Sequence, residues 1–258
     1  MARMKFSSLR AFVSGGASGL GRAVASAVVG AGGSAILLDI NPEQGAAASA
    51  EIGPGAFFCP GDVTEEHSIE RAMEVAQAQL GGLDLAVMCA GIGTAGRLIG
   101  RSGPMSAEFF RRMIEINLVG TLLCCKAAAL RMQQNAPNEE GERGVIITTA
   151  SIAAFDGQIG QVAYAASKGG IVGMTLPLAR ELASSGIRVV TIAPGLFRTP
   201  LLAGLPEAAQ VSLGQQVPFP PRLGRPEEYA ALVRQIVENS MLNGETIRLD
   251  GALRMAPR

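Results

Sequence analysis

The stretch VSGGASGLGRAVA, residues 13–25, decides the fold. It joins an apolar run, RAFVS at 10–14, to a helical pattern and spaces Gly15, Gly19 and Gly21 as G-x-x-x-G-x-G between them. Glycines at this spacing permit a tight turn, let the backbone approach a pyrophosphate and leave a helix N-terminus facing its charge. The same spacing also suits an ordinary glycine-rich turn from strand to helix. The residues downstream separate the two readings.

A second apolar run, SAILLD at 34–39, ends in Asp39, eighteen residues after Gly21. A carboxylate there can accept hydrogen bonds from an adenosine ribose, or it is a strand-end turn residue. Ile40 and Asn41 follow it rather than Arg or Lys, so a 2′-phosphate would be repelled and NAD is favoured over NADP. Arg22, beside the glycine loop, works against that preference. Asp62 and Val63 follow a third run, GAFFCP at 55–60, where they would flank an adenine ring.

Four further runs continue the series: LDLAVMCA at 83–90, GVIITTA at 144–150, IRVVTIA at 187–193 and ETIRLD at 245–250. Near-continuous apolar runs are expected of parallel strands buried on both faces. Helical patterns lie between them, over 21–32, 68–82 and, as one long helix, 106–134. Such alternation predicts an α/β fold, a single doubly wound, mostly parallel seven-stranded sheet with helices on both faces, and 1–258 reads as one dinucleotide-binding catalytic domain. Two loops, 91–105 and 194–210, leave the carboxyl ends of strands, where open α/β sheets bind ligands. The loop at 133–144 precedes its strand and is expected to be solvated at the opposite edge.

With 48% hydrophobic and 17% charged residues, the composition is that of a globular chain rather than a disordered one. Net charge is zero and there is no block of like charges, which argues against nucleic acid or an anionic membrane as partner. No apolar run approaches the roughly 20 residues that span a bilayer. The opening MARMKFSSLR lacks an apolar leader and a small-residue cleavage site, so a cytoplasmic protein is expected. Cys59, Cys89, Cys124 and Cys125 form no C-x-x-C and are expected as reduced core or helix residues. His67 is the single histidine, so neither a zinc site nor a histidine triad is expected, and no metal is assigned. Proton chemistry must therefore use other groups.

SIAAFDGQIGQVAYAASKGG, residues 151–170, supplies them. Ser151 lies at a strand end, and Tyr164 and Lys168, four residues apart, share one face of a helix. A free phenol, pKa about 10, is a poor base near neutrality. A neighbouring ammonium, or a positively charged nicotinamide ring, would lower that value. The tuned phenol could then exchange a proton with an alcohol or ketone while hydride moves, with the Ser151 hydroxyl holding the substrate oxygen. The plainer alternative is an amphipathic helix tyrosine and a solvated lysine. Only two tyrosines occur in the chain, and this one follows a dinucleotide fingerprint in the right order.

On these residues, with Asn117 in IEINLVGT, PGLFRTP at 194–200 and RLDGA at 248–252, the sequence resembles the short-chain dehydrogenase/reductase family over nearly its whole length. The resemblance implies a Rossmann fold and a catalytic set of Asn117, Ser151, Tyr164 and Lys168. In that set the serine places the substrate oxygen and the tyrosine is the acid/base. The lysine binds the nicotinamide ribose and lowers the tyrosine's pKa, and the asparagine supports a water that relays protons to it. Without the family, Asn117 is a polar residue interrupting a helix. NAD contacts are implied at Ser14, Gly15, Ser18, Gly19, Leu20, Gly21, Asp39, Asp62, Val63, Cys89, Ala90, Gly91, Tyr164, Lys168, Pro194, Gly195, Phe197 and Thr199. Two departures stand out: the family's Asn-Asn-Ala-Gly is Met88, Cys89, Ala90 and Gly91, and its usual threonine before the first glycine is Ser14.

Longer segments, including the loop QNAPNEEGERGVI, are similar to the type-2 3-hydroxyacyl-CoA dehydrogenase group, which also acts on 17β-hydroxysteroids. The implied reaction is NAD-dependent interconversion of 3-hydroxyacyl-CoA and 3-oxoacyl-CoA, with Gln158 among the substrate contacts beside Ser151 and Tyr164. The alternatives are a broad alcohol or hydroxysteroid dehydrogenase, a 3-oxoacyl-carrier-protein reductase, which Asp39 disfavours, and a cofactor-binding scaffold without turnover. Residues 195–220 carry Leu196, Phe197, Leu201, Leu202, Leu205, Val211 and Leu213 and read either as a lid over an acyl or steroid skeleton or as helices packing on themselves. Arg97 and Arg101 suit a CoA phosphate or are solvated loop charges. Family resemblance also implies a homotetramer built on paired helices and a C-terminal strand contact.

Overall fold

Seven parallel strands in the order β3-β2-β1-β4-β7-β8-β9 carry the molecule. They are β1 (Arg10–Ser14), β2 (Ser34–Asp39), β3 (Ala56–Pro60), β4 (Leu85–Met88), β7 (Gly144–Thr149), β8 (Ile187–Pro194) and β9 (Thr246–Leu249). The computed structural model describes residues 4–101, 103–203 and 206–257, without the side chains of Leu201 and Ala203. Every expected strand is present, each within two residues of its apolar run at either end.

The apolar runs are continuous because both faces of the sheet are covered. Val13, Leu37, Val87, Ile147 and Val190 point into one layer with α1 (Gly19–Gly30) and α9 (Pro226–Glu238). Their neighbours Phe12, Ile36, Ala86, Ile146 and Val189 point into the other, with α3 (Glu66–Leu80) and α5 (Gly120–Met132). Adjacent residues point to opposite faces, so a strand with helices on both sides is apolar at most positions along its length. The order of strands reverses between β1 and β4, which opens a crevice at their carboxyl ends.

The remaining elements are α2 (Pro42–Ile52), the short antiparallel pair β5 (Ile99–Gly100) and β6 (Gly103–Pro104), α4 (Ala107–Ile114), α6 (Val162–Ala183), α7 (Pro200–Ala203) and α8 (Glu207–Gln215). Three expectations need correction. The long helix expected over 106–134 is interrupted: a π turn, Glu115–Val119, separates α4 from α5 and carries the buried Asn117. A π turn admits one extra residue without breaking the helical pattern, so periodicity alone passes over it.

The same stretch, Ala107–Met132, is long and apolar enough by length and composition to cross a membrane, contrary to the sequence expectation. Here Cys124, Cys125, Ala128 and Met132 of α5 fill the core layer against α3, and Asn117 and Thr121 are buried with hydrogen-bond partners, so it serves as a core helix. The loop over 133–144 lies at the amino end of the sheet as expected, but it is a fastening and not simply solvated. Asn135 Nδ2 donates to Leu83 O at 2.6 Å and Arg143 O at 2.8 Å. Arg188 Nε donates to Glu142 Oε1 at 2.6 Å in a buried pair, and Arg188 also caps carbonyls at the end of α9.

Candidate active site

The glycine loop adopts the backbone that its sequence demands. Gly15 and Gly19 have φ of +66° and +52°, the left-handed region that side chains avoid. A Cβ on Gly15 would sit 2.7 Å from Ala90 N, across the crevice between β1 and β4. A Cβ on Gly21 would strike Gly15 O. Ser18 precedes α1 without capping it, so the first amides of the helix are not satisfied by that side chain. Asp39 is held across the loop: Oδ2 accepts from Ala17 N at 3.0 Å and Oδ1 from Asn41 N at 3.1 Å. Arg22 is ion-paired with Glu51.

A cavity of about 750 Å³ runs from Asp39 and Asp62 past the glycine loop to Ser151, Tyr164 and Lys168. Leu20, Val63, Cys89, Ala90, Gly91, Pro194, Gly195, Phe197 and Thr199 also line it. An acidic group at one end, a glycine-lined helix start in the middle and a hydroxyl–phenol–ammonium set at the other fit a dinucleotide carrying hydride to a substrate. Three sequence-selected residues lie elsewhere. Ser14 is buried behind the loop, its Oγ accepting from Ala90 N at 3.4 Å. Asn117 is buried behind Ile92. Gln158 is outside the lining, and its Nε2 donates to Ala256 O at 2.9 Å.

Sequence reasoning did not select Ile92, Arg112, Gln161 or Met255, all of which line the cavity. Gln161 had a findable signal: it stands at the N-cap of α6, one turn before Tyr164. Met255 had none. Leu196, Phe197 and Leu202 of the 195–220 segment line the cavity, whereas Val211 is exposed and Leu205 lies outside the described residues. Arg97 and Arg101 are exposed beside the β5–β6 hairpin and do not line the cavity.

At the polar end, Lys168 Nζ donates to Thr149 O at 2.8 Å and lies 5.8 Å from the centre of the Tyr164 ring. Burial draws the lysine down to about 8, with Cys89 opposing the shift. Burial pushes the Tyr164 phenol up, and its hydrogen bond with Ser151 pulls the other way. This corrects the expected lowering by the ammonium: desolvation dominates, and one of the three ammonium N–H groups is taken by the Thr149 carbonyl. Asn117 holds the loop after β4 from both sides, Oδ1 accepting from Ile92 N at 2.8 Å and Nδ2 donating to Ile92 O at 2.9 Å. It also donates to Ser167 Oγ on α6 at 3.0 Å, tying together the elements that carry Gly91, Tyr164 and Lys168. Beneath them, Thr149 Oγ1 lies 2.7 Å from Tyr229 Oη, with Cys89 Sγ 3.6 Å from the threonine.

Residues 10–210 match the family described as short chain dehydrogenase. The chain belongs to the short chain dehydrogenase family. It is 53% identical over 251 residues to 3-hydroxyacyl-CoA dehydrogenase type-2 of Bos taurus, covering 96% of each chain. The crystal structure of 3-hydroxyacyl-CoA dehydrogenase type-2 from Mycobacterium avium superposes with a TM-score of 0.92, at 42% identity over 96% of each chain. A second crystal structure, 3-ketoacyl-(acyl-carrier-protein) reductase from Brucella melitensis complexed with NADH, superposes at 0.84 with 27% identity, covering 95% of this chain and 98% of that one. As a short chain dehydrogenase the protein is an oxidoreductase that uses NAD(P), and the cavity lies where the doubly wound sheet of this family changes direction.

Proposed function

We propose that this short chain dehydrogenase interconverts 3-hydroxyacyl-CoA and 3-oxoacyl-CoA with NAD. The observation that carries the reading is the 53% identity, over 96% of both chains, to a relative named for that activity. NAD, when bound, supplies the hydride acceptor for the alcohol carbon, and NADH the donor for the ketone. In oxidation, Ser151 holds the carbinol oxygen and Tyr164, as phenolate, takes the hydroxyl proton as the carbonyl forms; in reduction the phenol returns it. With a pKa drawn to about 8, Lys168 is largely protonated at neutral pH and is held by Thr149 O, 5.8 Å from the centre of the Tyr164 ring, while the Ser151 hydrogen bond favours the phenolate. Asn117 keeps the loop after β4 and helix α6 in fixed relation.

Preference for NAD over NADP is supported by the Asp39 carboxylate with no cation following it, and by the diversion of Arg22 to Glu51. The similar Brucella structure is complexed with NADH. A second reading, oxidation of free alcohols or hydroxysteroids, is favoured by the apolar residues Ile152, Leu196, Leu202 and Met255 that line the cavity containing Ser151. Assembly as a homotetramer is part of the proposal; exposed Leu122 and Leu130 on α5 and Val162 and Leu176 on α6 support helix-to-helix association.

The deciding experiment is oxidation of NADH by the purified protein with acetoacetyl-CoA, in parallel with NADPH and with a CoA-free ketone. Turnover with NADH and the thioester at least tenfold above the other pairs supports the assignment. Turnover only of free ketones moves the function to the second reading.

A further inference from the structure

The segment after β9 folds back over the substrate end of the cavity. Gly251 and Ala252, with φ of +59° and +67°, reverse the chain, and Met255 then joins Ile152 and Leu196 in an apolar cluster. Met255 also lines the cavity that contains Ser151 and Tyr164.

Several contacts hold this segment against the loop between Ser151 and Tyr164. Gln158 Nε2 donates to Ala256 O at 2.9 Å, and Ile159 N donates to Pro257 O at 3.0 Å. Arg248 pairs with Asp156 of that loop and with Asp250, its Nε donating to Asp250 Oδ2 at 2.7 Å. Its guanidinium lies 5.3 Å from the centre of the Phe155 ring, and its Nη2 donates to Leu253 O at 2.9 Å. One half-buried arginine thus joins the last strand, the returning segment and the loop that leads to the reacting tyrosine. The geometry leaves Met255 as an unbranched, adaptable side chain on the cavity wall, packed with Leu196 and with Ile152, the residue after Ser151.

We infer that Met255 determines which acyl or alkyl groups the enzyme accepts, and that Asp156, through Arg248, is the positioning residue that holds the Met255 wall in place. The inference rests on the reading that the substrate oxygen is held at Ser151 and Tyr164. Shortening the side chain opens apolar volume for added methylenes, and enlarging it removes volume. A single methylene in such a pocket changes discrimination by roughly 10–200-fold.

The test measures kcat/KM for 3-oxoacyl-CoA substrates of short and long chain in wild type, Met255→Ala and Met255→Trp, with the Kd for NADH from fluorescence as the control for fold and cofactor site. The long-to-short ratio is expected to rise about tenfold in Met255→Ala and to fall about as much in Met255→Trp, while the NADH Kd stays within about twofold. Asp156→Asn is expected to raise KM for the longer substrate more than it lowers kcat, and Asp156→Glu to restore it. A chain-length ratio unchanged in both Met255 variants overturns the inference. If wild type turns over no CoA thioester, the functional reading fails separately, and the same ratios are measured with short and long 2-alkanones: a shift supports the role of Met255, and no shift overturns it.

Discussion

Thr149 is shared between Lys168 and Tyr229: its carbonyl accepts from the ammonium at 2.8 Å, and its hydroxyl meets the Tyr229 hydroxyl at 2.7 Å. Tyr229 comes from α9, in the core layer on the face of the sheet opposite the one covered by α5. The position of the ammonium therefore depends on a fully buried phenol that makes no contact with substrate in the proposed chemistry. Tyr229→Phe is expected to lower stability by about 1 kcal/mol, or roughly 2–4 °C in Tm, and to lower kcat several-fold with little change in NADH affinity. Thermal unfolding and turnover, measured on the same preparation, check both parts.

Removing the Tyr164 hydroxyl tests the proton step directly. Tyr164→Phe should lower kcat by about 10²–10⁴-fold while the Kd for NADH changes little, because positioned acid–base groups contribute on that scale. In the wild type, oxidation should accelerate with rising pH as the phenol, pushed up by burial, ionises. The phenylalanine variant should lack that limb in a stopped-flow or steady-state pH profile.

Lys168 imposes a pH dependence on stability whose sign follows from its burial. Its pKa falls from 10.5 to about 8 on folding, so below pH 8 both states hold the proton and folding carries the full cost of burying the charge. Between about 8 and 10.5 the unfolded chain retains a proton that the folded chain has released, so stability rises with pH. Against Lys168→Met, the wild type should gain on the order of 3 kcal/mol across that window. Burial pushes the Cys125 thiol up to about 12, and this contribution is common to both proteins and cancels. Urea denaturation at pH 7.5 and 10.5 gives the difference.

Asp39 governs the choice of dinucleotide in the proposed function. Asp39→Ser removes the carboxylate that would repel a 2′-phosphate and leaves a hydroxyl able to bond it. The ratio of kcat/KM with NADH to that with NADPH should fall by about tenfold or more. An unchanged ratio would place the selectivity elsewhere in the pocket.

At the other end of the sheet, Glu142 and Arg188 form a buried pair that stabilises the fold without touching the cavity. Glu142→Gln leaves the guanidinium with its carbonyl partners but no counter-charge. Breaking such a pair typically costs about 3–5 kcal/mol, which corresponds to roughly 6–20 °C in Tm. Steady-state kcat at 25 °C should be unaltered.

The strands were legible because burial on both faces keeps them predominantly apolar, with hydrogen-bonded exceptions such as Thr148 and Thr191, so each apolar run maps onto one strand. The glycine loop was legible for a related reason: Gly15 and Gly21 face backbone atoms that no Cβ could clear. Ser151, Tyr164 and Lys168 meet in one cavity because a strand end and two positions on one helix face converge there. Other features had no local signature. Gln158 and Gln161 are both loop glutamines in the sequence, and only the course of the loop sends one to Ala256 and the other to the cavity. Met255 reaches the site through a chain reversal after the last strand. The raised Tyr164 pKa reflects desolvation, a property of everything packed around it rather than of the lysine four residues on.

The π turn at Glu115–Val119 sets the phase of the long helix. Each residue advances an α-helix by about 100°, so one extra residue in a turn rotates everything beyond it by about that angle. This offset lets α4 pack on α6 while α5, in the same rod, packs on α3, with Asn117 at the point of change. Orientation is therefore encoded in a number of residues as well as in their identities. A one-residue deletion that leaves Asn117 in place would still turn one of the two helical faces away from its partner, so this segment is far more sensitive to length than to composition.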